Sequence, residues 1–598
     1  MRAARHKARP DQRKRAREAP APAPKAVTEA PGRRILQAVL LGASCALVYL
    51  SSVRPVLTWD TIPTRLVPFS LLREGNVNLN EFEWLQRLDR MPYFLRRTSR
   101  GDLLSAYPLV TSLIATPVAA PIELWLRWRH IDVADERFRL AAMVSERIAA
   151  AAIAAVSVSL VFFALCRLTS RRVAFVLAVG YGLGTNTWAT SSQALWQHGT
   201  AELCLAGLSL SLVADDTRRN AIIASLFAGL GVLARPTMAI FALMAAVFVW
   251  RERRQHVLAF LALPLAGTAA MFAYNVRTLG HLFGGYRAIE FSAPRPERLA
   301  GLLVSPSRGL FLYSPLTLLA VPGVARWRRE RGWVRYALIA VGGYLLLYAS
   351  FKGWPGGYTY GPRFLVDVLP VLVLAVVPAA EWLDRRRWGC VLLAALVLVG
   401  VAIQAIGAYC DDDSWNRGPA PLRGHSERLW DWTDLQIVRA ARGGWRGTEL
   451  APILWQAYAD PRPVQLEPMT VTDLAGTVEV EDPVPLRFQA GTLGSVLVEV
   501  RNGGSVMWPA FSDYGYLQCS LVYVWRRDGR ALDDLVGAVP LPRNLGPGES
   551  ARVAARIEVP TTPGDYELEL LLVQVLDENK ARSGNAARRV PVQVVRRS

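Results

Sequence analysis

Asp60 stands in the stretch LTWDTIPTRLVPFSLLREGNVNLNEFEW (57–84), directly after an apolar run. A carboxylate at a wet, half-buried membrane face stays deprotonated and can accept a proton from a hydroxyl. Ionisable side chains at such a depth are functional candidates by default. The competing reading is a helix cap, because Thr61, Ile62 and Pro63 follow and suit a first turn. Glu81 and Glu83 end the same stretch and are candidate substrate contacts or, equally, a solvated helix start.

Cations supply the complementary chemistry. Arg308 lies in SPSRGLFLYSP, while Lys352 and Arg363 bracket GWPGGYTYG, which contains Tyr358 and Tyr360. Such cations suit a phosphate or pyrophosphate, with arginine offering a bidentate fork. The bland alternative is snorkelling to lipid phosphate at a helix end. His198 in WQHG and Arg235 before Pro236 are further candidate contacts, each also readable as an ordinary helix end. YCDDDSW (409–415) gathers three acids, but contiguous aspartates cannot all face one ion. No metal site and no cofactor is therefore assigned, although a divalent ion stays open. No Walker A loop, nucleophile elbow or His-Glu-x-x-His helix occurs.

The elements that must position these residues are membrane spans. The 598-residue chain is 52% hydrophobic, with apolar runs recurring from about residue 35 to 408; this marks a polytopic membrane protein with a soluble tail. Its net charge of +20 sits in the N-terminus and in short Arg clusters between runs. That distribution fits the positive-inside rule better than nucleic-acid binding, which needs one basic face. With the N-terminus inside, the clusters at 167–172, 215–219, 251–254, 326–335 and 385–387 all fall on the cytoplasmic side if about eleven transmembrane helices are counted. The count reads 107–125, with Pro117 and Pro121, as re-entrant or surface-lying. It reads 220–250 as two short helices meeting at Arg235.

Four regions follow. Residues 1–33 are a basic, disordered cytoplasmic arm; 34–408 form the transmembrane domain, with a large first outer loop at 54–146. Residues 409–465 are an amphipathic linker, and 466–598 alternate in short runs between turns, as in an all-β sandwich. All the chemically interesting loops then share one outer face. Six cysteines show no CxxC spacing, and only Cys410 with Cys519 leaves a disulfide open.

An inside N-terminus, an acid in a long first outer loop and YPLVTSLIATP ahead of the next span resemble the GT-C class of membrane glycosyltransferases. The likeness is to the protein O-mannosyltransferase and aminoarabinose-transferase branch. LGTNTWATSSQALWQHGTAELCL, GLLVSPSRGLFLYSPL and YGPRFLVDVLP look like an uncharacterised bacterial subgroup. The resemblance implies a polytopic GT-C-like helical domain in a bacterial inner membrane. It implies inverting transfer of a sugar from a polyprenyl-phosphate donor to a glycan, lipid or protein acceptor outside. Asp60 would be the general base, and Arg308, Lys352 or Arg363 would stabilise the departing phosphate. Many relatives carry two adjacent acids where this chain has Trp59, Asp60 and Thr61, which puts a metal-bridged variant in doubt. The tail is similar to immunoglobulin-like modules of envelope proteins, expected to dock on the membrane domain or to bind an acceptor. Two other classes compete: a flippase of lipid-linked saccharides, and a non-catalytic envelope-assembly scaffold.

Overall fold

The computed structural model describes residues 31–54, 56, 58–86, 92–285, 290–330, 332–411, 413–418, 421–459, 462, 464, 466–512, 516–577 and 580–596. Most of the basic N-terminal arm, residues 1–30, therefore lies outside the described residues.

The first helix, α1 (Pro31–Leu50), leads into the first loop. That loop holds α2 (Ile62–Glu74), α3 (Glu83–Gln86), the hairpin of β1 (Leu95–Arg97) and β2 (Leu103–Ser105), and α4 (Val110–Trp128). The bundle continues with α5 (Glu136–Leu168), α6 (Arg171–Gly184), α7 (Gln197–Val213), α8 (Arg218–Ala234), α9 (Ala239–Glu252) and α10 (Val257–Leu279). It ends with α11 (Pro296–Val304), α12 (Leu310–Tyr313), α13 (Ala320–Trp327), α14 (Trp333–Ser350), α15 (Leu369–Asp384) and α16 (Arg387–Tyr409). Among the described residues, six helical stretches are long and apolar enough to cross a membrane: Gly32–Leu50, Glu136–Leu168, Arg254–Leu279, Trp333–Ser350, Arg363–Asp384 and Arg387–Tyr409. Helices α6 to α9 are shorter, 14 to 17 residues. The α8–α9 break falls at Arg235, where Pro236 opens a 3-10 turn, because proline lacks the N–H that a continuous helix would use.

At 33 residues, α5 is about 50 Å long, more than a bilayer core needs. Its N-terminal half packs against both the first loop and the C-terminal domain. Phe138, Ala141 and Ala142 join the apolar core of the first loop, whereas Leu140 and Met143 face the core of the C-terminal domain. Inside the loop, Arg65 pairs with Glu146 of α5 at 3.2 Å, both buried. At the opposite end of the bundle the Arg clusters meet acids at the surface: Arg167 with Asp215 at 3.4 Å and Arg172 with Asp384 at 3.5 Å.

Three short helices, α17 (Ser414–Arg417), α18 (Gln436–Gly443) and α19 (Ala451–Ala459), fold back onto the outer loops. Two sheets follow. The smaller is ordered β3 (Gly476–Val480), β5 (Leu493–Asn502), β8 (Ser550–Glu558). The larger is ordered β4 (Leu486–Gln489), β10 (Lys580–Val595), β9 (Gly564–Asp577), β6 (Cys519–Arg527), β7 (Arg530–Pro540), with β4 and β10 parallel. Both contribute to one core around Trp508 and Trp525. Each buried indole N–H finds a carbonyl, Asp473 at 2.7 Å and Glu558 at 2.8 Å, as burial of a polar tip requires. All six cysteines are free, Cys410 and Cys519 included.

Candidate active site

The hairpin fixes the first part of the site. Because Leu95 pairs with Ser105, residues 93 and 107 flank its open end. Both tyrosine hydroxyls donate to Asp60 Oδ1, each at 2.7 Å. Asp60 itself lies inside a single 3-10 turn, Trp59–Thr61, and the residue capping α2 is Thr61, without a side-chain bond. The capping alternative thus finds no hydrogen bond here; the carboxylate points at hydroxyls and a guanidinium instead. Arg363 Nη2 donates to Asp60 Oδ2. Burial pushes the Asp60 carboxyl up, but the Arg363 charge and the two tyrosine hydroxyls outweigh it and hold the group below the usual carboxylate range.

Arg363 is placed by a tight turn. Gly361 has φ +74°, and a Cβ there would come within 2.5 Å of Tyr313 and 2.9 Å of Asn186, so only glycine fits. Beyond the turn, the guanidinium lies 4.0 Å above the Trp196 ring. Its Nε donates to His198 Nε2 at 3.2 Å. Arg235 Nη1 approaches the same nitrogen at 3.3 Å. Arginine can only donate, so His198 Nε2 is an acceptor and the ring proton sits on Nδ1. That proton goes to Asp367 Oδ1 at 2.6 Å. Asp367 Oδ2 accepts from the Tyr344 hydroxyl at 2.5 Å and forms an ion pair with Arg235, whose Nε lies 2.7 Å away. The result is one connected chain, Asp60, Arg363, His198, Asp367, Arg235, in which a neutral imidazole joins two Asp–Arg ion pairs. Its first pair keeps about 15% of its side-chain surface in the open (Asp60 15%, Arg363 16%), whereas His198 and Asp367 are sealed at 1% and 0%.

Of the residues singled out in the sequence, Asp60, His198, Arg235 and Arg363 come together. The others do not. Arg308 is buried in a cage of neutral acceptors: Pro355 O, Ser307 O, Gln436 Oε1, Gly357 O and Asn416 Oδ1, at 2.6–3.2 Å. These five bonds match the five donors of a guanidinium, which leaves none for a phosphate. Lys352 forms an exposed pair with Glu290 at 2.5 Å, away from the network. Both placements have the same cause, since a cation's partner depends on chain reversals that loop sequence does not specify. Glu81 accepts from the Ser70 hydroxyl, and Glu83 opens α3 on an exposed side. Tyr358 lies under Arg417 at 5.6 Å; the Tyr360 hydroxyl donates to Ile403 O at 2.9 Å. Asp411 is paired with Arg54 and Asp413 with Arg417, and Asp412 lies outside the described residues. No cluster of three metal-ligating side chains occurs among the described residues.

Asp367, Tyr93 and Tyr107 are site members that the sequence reading does not single out. Asp367 carried a signal, an acid inside the apolar run FLVDVLP, which is costly unless paired. The tyrosines carried none, since aromatic residues at a membrane face are ordinary anchors.

No protein-family model and no curated protein matches this chain. Among solved structures, the CARDB domain of a Pyrococcus furiosus protein is similar over 20% of this chain and 94% of its own length, at 22% identity (TM-score 0.13). The oligosaccharyltransferase of Archaeoglobus fulgidus in its apo form is similar over 71% of this chain and 58% of its own, at 10% identity (TM-score 0.38). ArnT from Cupriavidus metallidurans in the apo state is similar over 72% of both chains, at 13% identity (TM-score 0.41).

Proposed function

We propose that this chain is a GT-C-class membrane glycosyltransferase, moving a sugar with inversion from a polyprenyl-phosphate donor to a hydroxyl acceptor on the outer face of an eleven-span domain. One observation carries the reading: Asp60 and Arg363 form a reachable ion pair, held from behind by a buried His198–Asp367–Arg235 network.

The pair suits both halves of a displacement. In the resting site Arg363 neutralises Asp60 and keeps its basicity low. An incoming lipid-linked phosphate competes for the Arg363 guanidinium, which releases Asp60 Oδ2. The freed carboxylate accepts the acceptor's O–H proton as that oxygen bonds to the anomeric carbon. The bond from that carbon to the phosphate oxygen breaks on the opposite side, and the electron pair leaves on the phosphate. Arg363 balances the charge that develops there. His198, accepting from Arg363 Nε, keeps the planar fork aimed at the opening, so that little reorganisation is needed during the reaction.

The test compares envelope glycans and glycolipids by mass spectrometry in a deletion strain complemented with wild type or Asp60→Asn at matched abundance. A glycan product should vanish on deletion, return with the wild type, and fall at least about 100-fold with Asp60→Asn. Full restoration by Asp60→Asn would sink the reading and move transport or scaffolding ahead.

A further inference from the structure

The reading above leaves the C-terminal sandwich without a role, yet the sandwich reaches the site. Tyr516, just ahead of β6, sets its ring edge-on to Trp59, with centroids 5.5 Å apart and planes at 72°. Trp59 shares its 3-10 turn with Asp60 and stacks on Tyr93 at 6.4 Å and 29°, the same tyrosine that donates to Asp60. One sandwich side chain therefore backs both the backbone carrying the carboxylate and one of its hydrogen-bond donors.

The contact is built in rather than incidental. Leu517, the next residue, has φ +64°, a left-handed conformation that is unfavourable for a bulky side chain and persists only where surroundings enforce it. Here Leu517 N–H donates to Val575 O at 2.6 Å, and Gln574 Nε2 donates to Leu517 O at 3.0 Å. Tyr516 and Leu517 both pack on the apolar core of the first loop. The sandwich is also fastened further down. Asn544 exchanges two bonds with Gln456 of α19 at 2.8 and 2.9 Å and donates to Glu136 of α5 at 3.2 Å.

We infer that Tyr516 is a positioning residue for the transfer reaction, through which the sandwich holds Trp59, and with it the Asp60 carboxylate, in the geometry that receives the acceptor's proton. The inference rests on the transferase reading. It makes the sandwich part of the catalytic unit rather than an appended module.

A double-mutant cycle tests it. Purified full-length protein is added to membranes of the deletion strain, which hold both substrates, and initial rates are followed against the amount of membrane. Trp59→Leu and Tyr516→Ala should each lower the maximal rate about tenfold with little change in the half-saturating amount, since small misplacements of a catalytic group cost rate. Because Tyr516 acts through Trp59, the double variant should be no slower than Trp59→Leu alone. Tyr516→Phe, which keeps the ring, should match the wild type. Multiplying effects in the double variant, or a wild-type rate for Tyr516→Ala, would overturn the inference. If Tyr516→Ala does not fold, Tyr516→Leu completes the same cycle. Asp60→Asn run alongside separates the two claims: its full activity defeats the transferase reading, whereas its inactivity beside an active Tyr516→Ala defeats this inference alone.

Discussion

Arg363 and Arg308 are two guanidinium groups on loops that touch each other, both legible as phosphate ligands, and they have opposite surroundings. Arg308 is 1% exposed and meets only neutral oxygens, with Trp415 beneath it at 5.4 Å. Apart from Ser307 O, those oxygens belong to the turn at 355–357, to α17 and to α18, so the side chain ties three separate segments together. Gln436, which accepts from Arg308, also accepts from Tyr313 at 3.1 Å and from Gly361 N–H at 3.3 Å. Arg363 meets a carboxylate, an imidazole and, at 3.3 Å, the Gly356 carbonyl, and keeps 16% of its side chain exposed. A full set of fixed, neutral acceptors makes a rivet. A single charged partner that a stronger anion can displace makes a site.

Swapping each arginine for lysine should break that comparison cleanly, and these are the largest effects expected. Lysine keeps the charge but loses the planar fork. Arg363→Lys should lose roughly 10- to 100-fold in product formation with the melting temperature of the purified protein nearly unchanged. Arg308→Lys should behave in reverse. Three donors cannot serve five acceptors, and a buried acceptor left unpaired costs about 1–3 kcal/mol. Its melting temperature should therefore fall, while activity per folded molecule survives. If Arg308→Lys folds normally and loses catalysis, the rivet becomes a substrate ligand and the comparison fails.

The contrast also shows how far sequence reaches. The apolar runs, the Arg clusters, the break at Arg235-Pro236 and the alternating strands were legible because each follows from local periodicity or from proline chemistry. Asp60 was legible because an acid at a membrane face needs a reason. The partners were not. Asp60 and Arg363 are 303 residues apart, and His198 and Asp367 are 169 apart; nothing local selects Arg363 over Arg308 or Lys352. What selects it is the turn at Gly361 and the cage around Arg308, and both depend on α18, a helix whose contacts only the folded chain brings into place.

A smaller, sharper effect concerns pH. In the wild type the Asp60 carboxyl lies below the usual range, so its stabilising pairing is fully present above the unfolded value of about 3.9. That contribution is lost only as pH falls through the lower folded value. The acid limb of the pH–rate profile should accordingly lie below about pH 4. Removing the charge with Arg363→Gln leaves burial as the dominant influence on Asp60, which raises the carboxyl. The residual activity of that variant should then show an acid limb displaced to higher pH. An unmoved limb would mean that Asp60 is not the group whose ionisation the rate reports.

The smallest effect is expected at Lys352, and it calibrates the rest. Its side chain is 59% exposed and its partner Glu290 is 69% exposed. An ion pair in that position is screened by salt and contributes little. Lys352→Ala should therefore leave product formation within about twofold of wild type and the melting temperature unchanged. From sequence alone Lys352 and Arg363 are equivalent as phosphate ligands, since they bracket one glycine-rich loop. A large loss in Lys352→Ala would mean that the Glu290 pair opens to reach the donor, so exposure rather than a preformed partner would mark the phosphate-binding cation. A silent substitution beside a crippled Arg363→Lys would leave the half-buried, network-held guanidinium as the one that matters.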